Sequence, residues 1–128
     1  MPLSTFRPRI LASWRGMIGL HLMLDGIMLE PVTRGLIHSI LCELPSRIGM
    51  KILAGPVVVA GHFTNPGWTG FVVIDKSHIA IHTFTDGNRI SIDVYSCQTF
   101  DVNEVEKFLK DKISLTRVNK MAVSRSEA

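Results

Sequence analysis

Between residues 55 and 97 three β-type runs follow one another with only turn-length links between them. "GPVVVAGHF" is β-branched between glycines, and "FVVIDK" runs on into "SHIAIHTF" as one long apolar segment. "RISIDVYSC" alternates Ile90, Ile92 and Val94 against Ser91, Asp93 and Tyr95. "NPGWTG" and "DGN" are the turn signals. Links this short leave no room for crossover helices, which favours antiparallel neighbours.

The flanks complete the pattern. "MIGLHLMLDG" (17–26) reads as a strand, with Ile18, Leu20, Leu22 and Leu24 on one face. Pro31 sits where a first helical turn tolerates it, ahead of an amphipathic helix carrying Leu36, Ile37, Ile40, Leu41 and Leu44. Asp101 with Glu104 resembles a capping box, opening a helix that buries Val105, Phe108, Leu109 and Ile113. "LTRVNKMAV" reads as a last edge strand and "SRSEA" as a frayed tail. The order β-α-β-β-β-α-β predicts an α+β fold, a two-layer α/β sandwich whose mainly antiparallel sheet carries its helices on one face. One domain over 17–120 is expected, with an N-terminal extension at 1–16 and a C-terminal tail at 121–128. The uncovered sheet face or an edge is expected to pair with a second copy, giving a homodimer.

No apolar run reaches the roughly 18–20 residues of a membrane span, and residues 1–16 lack a signal-peptide core. A cytoplasmic, membrane-free protein is the expectation. The net charge of +3 is spread over both ends without a basic–aromatic patch, which argues against nucleic acid. Cys42 and Cys97 form no metal spacing, and in a cytoplasmic chain no disulfide is expected between them.

Within 72–84 the apolar run carries Lys76, Ser77, His78 and His82. In one continuous strand Ser77 and His82, five apart, face opposite ways and cooperate only across a bend, a bulge or a cut. His78 and His82 share a face but lie roughly 13 Å apart, too far for one zinc ion, so no metal is expected. No G-x-S-x-G elbow supports a hydrolase triad.

"KSHIAIHTFTDGNRISIDVYSC" resembles the core signature of the bacterial and archaeal S-adenosylmethionine decarboxylase proenzymes, E-S-H-x-x-I-H-T-W-P-E followed by V-D-V-(F/Y)-(T/S)-C-G. "GLHLMLD", "HFTNPGWTG" and "FDVNEVEKFLKDKI" are similar to the family's first strand, its H-x-F-x-P-x-G-x-S-G turn and its C-terminal helix, so the likeness covers roughly 17–118. The resemblance implies a chain that cuts itself between Lys76 and Ser77. Ser77 Oγ attacks the Lys76 carbonyl, the amide becomes an ester, and elimination then hydrolysis leave a pyruvoyl group derived from Ser77. That ketone forms a Schiff base with the substrate amine and takes up the electrons released with CO₂. His82 matches the processing proton shuttle, Thr69 a processing serine, and Cys97 the proton donor. Phe63 and Phe84 match the aromatics flanking the substrate, and Asp86 the glutamate that takes the ribose hydroxyls. The implied reaction decarboxylates S-adenosylmethionine to the aminopropyl donor of spermidine synthesis.

The sequence departs from the pattern at Lys76 (usually Glu), Phe84 (Trp), Thr85 (Pro), Asp86 (Glu) and Gln98 (Gly). Lys76 swings the local charge by two units beside a cationic substrate. By strand alternation Asp75 points to the other face. Two alternatives follow: a relative acting on arginine or ornithine, or an unprocessed, non-catalytic binding or regulatory homologue.

Overall fold

The computed structural model describes residues 17–126, so the extension at 1–16 lies outside the described residues. The elements are β1 (Met17–Met28), α1 (Arg34–Arg47), β2 (Ile52–Ala60), β3 (Trp68–Ile74), β4 (Ser77–Phe84), β5 (Arg89–Ser96), α2 (Val102–Lys112) and β6 (Leu115–Ser126). A 3₁₀ turn at Asp86–Asn88 joins β4 to β5. The strands form one sheet in the order β2-β3-β4-β5-β1-β6, antiparallel at every pair. This is the two-layer α+β sandwich that the consecutive β runs predict.

Both helices pack on one face. Leu22, Leu24, Val72, Ile79, Ile81, Ile92 and Val94 point into it and meet Ile37, Ile40, Leu41 and Leu44 of α1 and Val105 and Leu109 of α2, all buried. α1 approaches β3 closely at Gly70: a Cβ there would lie 2.6 Å from Ile37 Cγ2 and 2.9 Å from Leu41 Cδ1. The missing side chain lets α1 lie directly on the strand. Asp101 caps α2 by accepting from the Glu104 amide at 3.1 Å, as the sequence predicts. Thr33 caps α1 in the same way, accepting from Leu36 N–H at 3.1 Å, so Pro31 lies before the helix rather than in its first turn.

Two boundaries differ from the sequence reading. The run 72–84 is two strands: Ile74 pairs with Ser77, and the chain reverses at Asp75–Lys76. No Gly, Asn or Pro marks that turn, and its apolar flanks read as a single strand. At the C-terminus, residues 121–126 belong to β6 and pair with β1 from Met17 to Met23, so the domain extends past 120. "SRS" has weak strand propensity, and the ladder offered by β1 overrides it. Glu106 of α2 also holds Lys120 of β6 at 2.7 Å.

Among the described residues, the other face of the sheet carries no helix. Val57, Val59, Phe71, Val73, Met121 and Val123 are exposed there. They flank a central polar row that includes His78 and His82.

Candidate active site

The Asp75–Lys76 turn sets one end of the site. Lys76 sits at φ +52°, the left-handed region that side chains with a Cβ disfavour, and it supplies the carbonyl preceding Ser77. Its Nζ lies 3.1 Å from Asp75 Oδ1, and that hydrogen bond and charge raise the Lys76 pKa. Alternation therefore misplaces Asp75. In a turn, unlike a strand, neighbouring side chains can meet, and the Asp75 carboxylate lies against the lysine charge.

Ser77 begins β4 and is only 7% exposed. Its Oγ donates to the Asp75 carbonyl at 2.9 Å and accepts from the Cys97 backbone N–H at 2.9 Å. The Cys97 thiol donates to the same Asp75 carbonyl at 3.5 Å. β5 ends at Ser96, buried beside this knot, which delivers Cys97 to the start of β4. The hydroxyl is thus fixed between one donor and one acceptor, next to the Lys76–Ser77 peptide bond that it follows.

The second group lies at the far end of β4. Thr69 and His82 are register partners on β3 and β4, and Thr69 Oγ1 shares a hydrogen bond with His82 Nδ1 at 3.2 Å. They line a hollow of about 220 Å³ with Gly61, Trp68 and Phe84. Its rim is tied by Trp68 N–H to Thr83 Oγ1 (2.9 Å), Gly61 N–H to Gly67 O (2.9 Å) and Thr85 N–H to Pro66 O (3.0 Å). Gly67, at φ +147°, is obligatory here, because a Cβ would run into the Thr83 carbonyl oxygen. Phe63 projects from the 61–67 loop, 85% exposed and against His62, and Asp86 is exposed on the 3₁₀ turn.

Ser77 and Cys97 are brought together, and so are Thr69, His82 and Phe84. The two groups are not. β4 pairs without a bulge on both sides, Ser77 lies on the helix side and His82 on the open side, and five residues separate them by about 16 Å. A cut before Ser77 leaves that separation unchanged.

A third cluster escaped the sequence reading, although alternation put its members outward. His21 Nε2 contacts Asp93 Oδ1 at 3.1 Å. Phe71, His78 and Tyr95 stack in a row across β3, β4 and β5, with the Arg125 guanidinium 5.0 Å from the Tyr95 ring. Burial lowers the His78 pKa, helped by the charges of His21 and Arg125 and opposed by Asp93. A histidine whose folded pKa is depressed binds protons more readily when unfolded. Its contribution to stability is therefore complete above the ordinary value of about 6.5 and lost as pH falls below it. The melting temperature is expected to drop between pH 7 and 5.5, and His78→Gln to flatten that slope; an unchanged slope in the variant would show that His78 is not its source.

The family model described as S-adenosylmethionine decarboxylase matches residues 21–126. An S-adenosylmethionine decarboxylase proenzyme of Clostridium botulinum is 30% identical over 93 residues, covering 71% of this chain and 77% of that protein. One from a Geobacillus strain is 41% identical over 56 residues, 43% of this chain and 45% of the relative, so that match spans less than half of either. The solved structure of the adenosylmethionine decarboxylase from Aquifex aeolicus shares the fold, with a TM-score of 0.66 at 22% identity over 88% of this chain and 94% of that one. A match that runs from within β1 to the end of β6, and takes in both groups of site residues, makes this chain a member of the S-adenosylmethionine decarboxylase family.

Proposed function

We propose that this chain is a self-processing, pyruvoyl-dependent S-adenosylmethionine decarboxylase of the cytoplasm, cut between Lys76 and Ser77 and supplying the aminopropyl donor for spermidine. The observation that carries the reading is the Ser77 hydroxyl held between the Cys97 amide and the Asp75 carbonyl, beside a scissile residue in the left-handed region. In this arrangement Ser77 Oγ attacks the Lys76 carbonyl, and the released amine takes the proton. The hydroxyl must first turn its proton away from the Asp75 carbonyl, which is no base, towards a group that is. The Thr69–His82 pair has that chemistry, with Thr69 fixing the imidazole through Nδ1. The pyruvoyl group left at residue 77 supplies an electron sink for decarboxylation. Cys97 returns a proton to the substrate carbon, Phe63 and Phe84 flank the adenine, and Asp86 accepts from the ribose hydroxyls. The family does not favour arginine or ornithine.

Distance requires a second copy in this mechanism. Ser77 and Phe84 are seven residues apart on an unbroken strand, about 23 Å, further than one S-adenosylmethionine reaches. A twofold dimer packed through the open sheet faces sets the Ser77–Cys97 end of one protomer against the Thr69–His82–Phe84 end of its partner. The exposed Val57, Val59, Phe71, Val73, Met121 and Val123 support that packing. Lys76 is accommodated because Asp75 offsets its charge at the turn.

Intact mass of the purified chain tests the reading. Fragments 1–76 and 77–128 are expected, the second blocked at its N-terminus, with CO₂ released from S-adenosylmethionine and not from arginine or ornithine. A single uncut chain after long incubation would overturn it.

A further inference from the structure

Phe84 is a wall between two hollows. One is the 220 Å³ hollow of Thr69 and His82; the other, about 440 Å³, is lined by Asp25, Arg89, Ser91, Arg117 and Asn119. Arg89 lines only the second. Its guanidinium lies 4.8 Å from the Phe84 ring centroid, and its Nε donates to the Asp86 carbonyl at 3.5 Å. The hairpin produces this contact: Phe84 and Arg89 are the last register pair of β4 and β5, and Gly87 at φ +76° turns the chain tightly between them. The arginine side chain passes within about 4 Å of where a Gly87 Cβ would stand. One face of the ring is therefore covered, and the other is left to the His82 hollow.

We infer that Arg89 is a positioning residue for substrate, holding Phe84 so that a purine stacks on its uncovered face. The inference rests on the proposed role of Phe84 at the adenine. An unsupported phenylalanine at a hairpin end turns about soft torsions, and a flat ligand must order it on binding. A guanidinium over the opposite face draws on the ring's quadrupole and pre-orders it. The result is a guanidinium–phenyl–purine stack, which compensates for a ring smaller than the tryptophan usual in this family.

The experiment has two arms. In the processed enzyme, Arg89→Ala should raise the KM for S-adenosylmethionine about two- to five-fold, the change falling on KM rather than kcat, and Arg89→Lys should recover part of it. In a Phe84→Leu background Arg89→Ala should change nothing further, because its effect runs through the ring. The second arm needs neither cutting nor turnover. The uncut Ser77→Ala chain, carrying ¹³C-labelled phenylalanine, is titrated with S-adenosylmethionine and followed by NMR. The Phe84 ring signals should shift, with Kd weakened two- to five-fold by Arg89→Ala. Unmoved Phe84 signals, or an Arg89→Ala effect that persists in Phe84→Leu, overturn the inference. A wild-type chain that stays uncut while the Phe84 signals shift would overturn the enzymatic reading and leave the stacking site standing.

Discussion

A Cys97→Ala chain is expected to cut itself normally and then to turn over S-adenosylmethionine about 10²- to 10⁴-fold more slowly, the range for losing a positioned proton donor. The two effects separate because Cys97 contacts the site through two different atoms. Its backbone N–H holds Ser77 Oγ at 2.9 Å, and alanine keeps that donor. Its thiol reaches only the Asp75 carbonyl, at 3.5 Å, a contact that cleavage does not need. Denaturing gels read the first effect and CO₂ release the second. Normal turnover would remove the thiol from the mechanism; loss of cutting would mean that it also acts in processing.

The second large effect is at the processing pair. Ser77→Ala removes the nucleophile, and that chain should remain a single polypeptide however long it is incubated. His82→Ala keeps the nucleophile and removes the proton acceptor, so cutting should slow about 10²- to 10⁴-fold. Neither change removes an apolar core side chain: Ser77 is the first residue of β4, beside the Asp75–Lys76 turn, and His82 lies on the open face beside Thr69. Both variants should therefore fold, which circular dichroism checks. Fragments appearing from Ser77→Ala would exclude Ser77 Oγ as the attacking atom.

Most of the fold was legible because its determinants are local. Period-two alternation identified β1 and β5, the spacing of Ile37, Ile40, Leu41 and Leu44 identified α1, and Asp101 with Glu104 marked the start of α2. The hairpin at Asp75–Lys76 was not legible. A lysine in the left-handed region has no composition cue, and the valines and isoleucines on either side belong equally to one strand or two. The same missing turn sent Asp75 to the wrong face. The site was legible as a set of residue types and spacings, and through a family likeness, but not as an arrangement. Ser77 meets Cys97 only because β5 returns beside β4, a contact 20 residues long-range. The His21–Asp93 pair and the Phe71–His78–Tyr95 row likewise depend on register across separate strands, which no single run of sequence reveals.

The central claim is that one protomer's Ser77 is served by the other's His82. Co-expressing differently tagged Ser77→Ala and His82→Ala chains tests it most directly, with native mass spectrometry to establish that mixed dimers form. Alone, the Ser77→Ala chain should stay uncut, and the His82→Ala chain should be cut only about 10²- to 10⁴-fold more slowly than the wild type. In the mixed dimer the His82→Ala chain should be cut at Lys76–Ser77, because its intact serine faces the histidine of its partner, while the Ser77→Ala chain stays whole. Mixed dimers in which both chains remain uncut would contradict the account.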